Sequence, residues 1–186
     1  MFDYKFCRRA SGWAFLSGNM LTILLNTVNP NWFQFFAGIL FTVCSITTIL
    51  SASNHRWLFL TGFTVIAAYV LVAFSTTGDG TWLKYIGGLT GLVGGLLVWR
   101  AAFQRETKKQ YDLPYPLSLV DRYPLAGAGI IEGLGCVFIL MGALMNNDMR
   151  LTFLVVIWII GYITLIASDE FLRQSFQKDL SAQPKI

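Results

Sequence analysis

Glu132 is the only acid in the apolar stretch from Pro124 to Met145, inside the segment GAGIIEGLGC at 127–136. A carboxyl among glycines and aliphatics can bind a proton or a cation. It can also lock a neighbouring helix by hydrogen bonding, or reach back toward Arg122 and the lipid head groups. Two rows of polar residues could share a site with it. Asn19, Thr22 and Asn26 are spaced i, i+3, i+7, and Thr42, Ser45 and Thr48 repeat every three residues. Each row forms one helical stripe. Such stripes line a narrow hydrated path or hold helices together. His55 is the single histidine, so a histidine-based metal site or triad has no second member. No Walker A, HExxH, CxxC or nucleophile-elbow pattern is present, and GAGIIEG lacks the spacing of a dinucleotide fingerprint. These absences predict a non-enzymatic protein with no cofactor and no metal.

The solvent around Glu132 is set by the elements that carry it. Hydrophobic residues make up 55% of the 186, and charged residues 13%, against about 25% in an average soluble domain. The apolar residues fall into six blocks, 13–28, 32–51, 57–75, 82–103, 124–145 and 151–168. Blocks of that length cross a hydrocarbon layer of roughly 30 Å as helices. The basic start, MFDYKFCRRASG, is followed by no small-x-small cleavage site, so the first block reads as a retained span. Glu132 then sits roughly 10 Å below the boundary near Pro124 at helical rise.

Charge supplies an independent check. With the N-terminus inside, Lys5, Arg8, Arg9, Arg56, Arg100, Arg105, Lys108, Lys109, Arg122, Arg173, Lys178 and Lys185 are cytoplasmic, and only Lys84 and Arg150 lie outside. The positive-inside rule then gives six spans with both termini cytoplasmic, as in a bacterial inner membrane. The net charge of +4 thus points to a bilayer surface and not to nucleic acid. Trp13, Trp32, Trp57, Trp82 and Trp99 fall at span ends, the depth that indoles prefer. Trp158 falls mid-span, where packing between helices or a lipid-facing position is expected. Cys7, Cys44 and Cys136 have neither metal nor disulfide spacing and read as small filler.

NPNWFQFFAGIL at 29–40 is repeated loosely as DGTWLKYIGGLT at 79–90, and GWAFLSGN at 12–19 as HRWLFLTGF at 55–63. The spans therefore read as three parallel helical hairpins, the third by shape alone. Residues 1–103 form a four-helix part, 104–123 a cytoplasmic loop, and 124–186 a third hairpin with a short tail. No span is broken by proline, which weakens the case for unwound ion-binding helices. Gly87, Gly91 and Gly95, and likewise Gly129 and Gly133, make small-residue faces suited to helix association, within the bundle or between copies. In the loop, Arg105, Lys108 and Lys109 join Arg100 as a cluster for anionic lipid or a partner. Asp169 and Glu170 end the sixth block and read as solvated charges.

The residues GWAFLSGN, VNPNWFQFFAGIL and RWLFLTGF resemble the HdeD-type bacterial acid-resistance membrane proteins. The likeness lies in the first four spans. It implies a small, stress-related inner-membrane protein without enzymatic chemistry. The expected function is helix packing in a homo-oligomer or with other membrane subunits. The alternative is a small channel or proton-coupled transporter that uses Glu132.

Overall fold

The computed structural model describes residues 3–28, 32–75, 81–104 and 124–181. Every regular element among them is helical: α1 (Tyr4–Val28), α2 (Trp32–Ser51), α3 (Trp57–Ser75), α4 (Thr81–Gln104), α5 (Pro124–Met145) and α6 (Met149–Ser181). The bounds of α2, α3 and α5 coincide with the expected spans. α1 begins earlier because Asp3 caps it, accepting from Phe6 N at 2.7 Å. α6 runs past Ser168 because FLRQSFQKDLS remains helix-forming after the apolar segment ends.

Among the described residues four helical segments are long and apolar enough to cross a membrane: Trp32–Ser51, Tyr85–Ala102, Leu125–Met145 and Met149–Phe171. Trp57–Val72 is apolar but shorter. α1 mixes apolar residues with Ser17, Asn19, Thr22 and Asn26, which lowers its hydropathy.

Each helix packs on its neighbours in sequence, and α6 packs on α1, so the six close into a ring. α4 packs directly on α5. The expected four-helix part and third hairpin therefore form one continuous bundle. All neighbours are antiparallel. The starts of α1, α3 and α5 thus share an end, here the proximal end, with the finishes of α2, α4 and α6. The α5–α6 turn is a left-handed helix cap. Asn147 takes φ 53°, Asp148 N donates to the Ala143 carbonyl at 2.9 Å, and Asp148 Oδ1 accepts from Leu151 N at 3.0 Å to start α6.

The polarity of the bundle is turned inside out relative to a water-soluble protein. Arg8, Ser11, Ser45, Ser51 and Ser168 are fully buried. Trp13, Phe33, Phe63, Leu89, Leu134 and Phe153 are exposed. Lipid gives apolar side chains no reason to hide, whereas polar groups must find partners inside.

Candidate functional site

Glu132 projects from the first half of α5 into the ring and is only 5% exposed. The opposing helix makes room for it. A Cβ built on Gly94 of α4 would overlap the Glu132 Cγ, so the carboxyl rests on bare backbone. One turn away, a Cβ on Gly91 would overlap the Tyr69 ring. These two glycines let a carboxyl and a phenol enter the centre of the bundle.

Tyr162 of α6 neighbours the Glu132 side chain. Its hydroxyl lies 3.4 Å from that of Tyr69 on α3. Cys44 of α2 and Cys136, one turn on in α5, stand within electrostatic reach. Aromatic packing fixes both phenols. Phe15 lies 4.7 Å from Tyr162 at 59°, and Phe41 lies 5.0 Å from Tyr69 at 82°, geometries favoured by the ring quadrupole. Among the described residues the Glu132 Oε1 atom finds no hydrogen-bond partner. A buried carboxylate oxygen without a donor is costly. The site is therefore suited to hold a proton on that oxygen.

The polar stripes mostly bond to backbone and to neighbouring helices. Asn19 is buried and donates to the Phe41 carbonyl at 3.1 Å and to Ser45 Oγ at 3.0 Å, joining α1 to α2. Thr22 donates to the Gly18 carbonyl in its own helix, and Thr42 to that of Gly38. The Asn26 side chain lies outside the described residues. Thr48 and Thr64 reach the Cys44 thiol beside the Glu132 site.

The glycine faces are covered by the chain's own helices. A Cβ built on Gly87 would meet Ile139 of α5, one on Gly95 Ile66 of α3, one on Gly129 Ile166 of α6, and one on Gly133 would lie 3.8 Å from Tyr162 Cβ. Arg100 is exposed, while Arg105, Lys108 and Lys109 lie outside the described residues. Trp158 packs on Phe41 and against Gly18.

One residue at the proximal end differs from its sequence reading. Asp169 is 4% exposed, not solvated. Its Oδ2 accepts from Leu125 N and Ala126 N, each at 3.2 Å. The first amides of α5 need an outside acceptor, and Asp169 supplies it. Arg8 is fully buried and donates from Nη1 to the Ser51 carbonyl at 3.3 Å.

Sequence reasoning passed over Tyr69, Tyr162 and Gly94. The signal was available for the tyrosines. Both lie mid-span, away from the interfacial belts where Tyr is usual. Among the described residues no three His, Cys, Asp or Glu side chains gather as metal ligands.

No protein-family model matches this chain, and no curated protein or solved structure matches it.

Proposed function

We propose that this chain is a six-span inner-membrane protein, both termini cytoplasmic, that binds a proton at Glu132 and couples it to the movement of a small solute or ion. It has no enzymatic chemistry of its own. The carrying observation is the unpartnered Oε1 of a carboxyl buried in the middle of a helix ring. An intramembrane acid facing the bundle interior is a functional group by default. The uneven split of basic residues supports the topology. Membership of the HdeD-type acid-resistance proteins is part of this proposal; that resemblance covers the first four spans, and Glu132 lies outside it. The test is proton flux into vesicles containing the full chain, read by a pH-sensitive dye. Flux should be lost in Glu132→Gln. Unchanged flux in that variant would overturn the reading.

A second reading is a role in a homo-oligomer or larger membrane assembly. Trp32, Phe35 and Phe36 form an aromatic cluster at the distal end of α2, with Trp32 and Phe36 exposed. Contact between copies would use such large side chains and not the glycine rows. Native mass measurement in mild detergent distinguishes a stable complex from single chains.

A further inference from the structure

At the proximal end α1 and α2 meet along a seam with a basic mouth. Lys5, Arg9 and Trp13 follow one another at four-residue steps on α1, a single stripe over about 12 Å of helix. All three are exposed. Arg9 Nη2 donates across the seam to Ser53 Oγ at 3.5 Å. Ser53 stands just past the finish of α2, in a turn held by bonds from its own N and from Asn54 N to the Leu50 carbonyl, at 3.0 and 3.1 Å. Lys5 Nζ lies 5.9 Å from the Tyr4 ring. Among the described residues no acid pairs with Lys5 or Arg9. Asp3, the nearest acid in sequence, caps α1.

Beyond the mouth the seam is shallow and apolar. Gly12 brings the two helices together: a Cβ there would overlap Ile49 and lie 3.0 Å from the Ser45 carbonyl oxygen. By helical register Trp13 and the half-buried Leu16 flank this contact on α1, and the exposed Ile46 flanks it on α2. From the end inward the order is cation, indole, aliphatic. A phospholipid has the matching order of phosphate, glycerol and acyl chain, and indoles settle at the level of the head groups. A guanidinium suits a phosphate because two of its N–H groups can meet two phosphate oxygens. The distal end lacks this order. Among the described side chains its exposed charges are Asp148 and Arg150, opposite in sign.

We propose that one anionic phospholipid binds in this seam. Its phosphate sits between the Arg9 guanidinium, the Lys5 ammonium and the Ser53 hydroxyl. One acyl chain lies along Trp13, Leu16 and Ile46. Head-group charge decides the occupant. A zwitterionic lipid brings its own cation beside Lys5 and Arg9, where like charges repel, and an anionic one such as phosphatidylglycerol brings none. Free phosphate shares the anionic chemistry but leaves the apolar part of the seam uncovered. The chain itself holds Arg9 toward Ser53, so little side-chain freedom is lost on binding. The seam lies on the outside of the ring, and lipid binding there does not depend on a proton at Glu132.

The test is native mass measurement of the full chain in mild detergent, with phosphatidylglycerol and phosphatidylcholine supplied together at equal concentration. The chain should retain one phosphatidylglycerol in about tenfold or greater preference to phosphatidylcholine, as two basic contacts imply. Lys5→Ala combined with Arg9→Ala should abolish the preference, and Arg9→Lys should keep part of it. Arg150→Ala, which removes an exposed charge at the distal end, should leave it intact. A large excess of inorganic phosphate should not displace the lipid. Displacement would make the seat a phosphate site and overturn the lipid. Absence of preference in the wild type, or a preference that survives the double variant, overturns the proposal. Equal loss in Arg150→Ala and the double variant does so too, because overall charge would then decide. If the double variant does not fold, the wild-type preference and Arg150→Ala decide.

Discussion

The Glu132 carboxyl rests on the backbone of Gly94, one helix away, where any side chain would occupy the same space. Acid and glycine are therefore a matched pair. Gly94→Ala should lower stability by about 1–3 kcal/mol through overpacking. Glu132→Ala added to it should recover much of that loss, because the overlapping Cγ is gone. Gly88, with no atom near a built Cβ, is the control. Gly88→Ala should leave stability unchanged or raise it by up to ~1 kcal/mol. Thermal unfolding in mild detergent reads all four proteins.

Asp169, where the apolar part of α6 ends, ties that helix to the start of α5. Asp169→Ala should cost about 0.5–2 kcal/mol, the usual value of a lost helix cap. Asp169→Asn keeps an acceptor oxygen and should cost less. Faster amide exchange at Leu125 and Ala126 in the alanine variant would locate the effect at this contact. Equal exchange in all three proteins would rule the cap out as its source.

Tyr162 and Tyr69 touch each other, and of the two Tyr162, on the helix packed against α5, neighbours Glu132 more directly. Tyr162→Phe should therefore change the pH midpoint of Glu132 protonation, read from its infrared carboxyl band, more than Tyr69→Phe does. Equal shifts in the two variants would show that the Tyr162 hydroxyl has no special hold on the acid.

Cys7 is buried near the proximal end, outside the apolar part of α1. Burial pushes its thiol pKa up, and the negative charge of Asp3 adds to the shift. A raised value means less thiolate at neutral pH, and thiolate is the reactive form. Maleimide labelling should thus be slow at pH 7 and accelerate as pH rises past the range of an ordinary thiol. Asp3→Asn removes the nearby charge while keeping a helix cap, so labelling at a given pH should speed up. No change in rate would mean that access, not charge, limits the thiol.

The elements were readable because lipid imposes a simple rule on length. A block such as 124–145 is long enough to cross and too apolar for a loop, and the helix has those bounds. Glu132 stood out for the same reason, as a charge in a medium that penalises charge. Its neighbours were hidden, because periodicity tells which residues share a face and not which faces meet. Gly87, Gly91 and Gly95 were visible as a row, yet Gly94, just off that row, receives the carboxyl. Asp169 was misread because an acid at a span end is cheap to hydrate. Only the fold shows that it stands over the uncapped start of another helix.

Ring closure also bears on how the chain is made. Ser11 donates to the Gly161 carbonyl at 2.8 Å across 150 positions of sequence. A ribosome adding roughly 5–20 residues per second leaves the first helix without this companion for on the order of ten seconds. During that interval a seam of polar groups faces hydrocarbon, so the nascent protein needs shelter at the insertion machinery until its last helix is released.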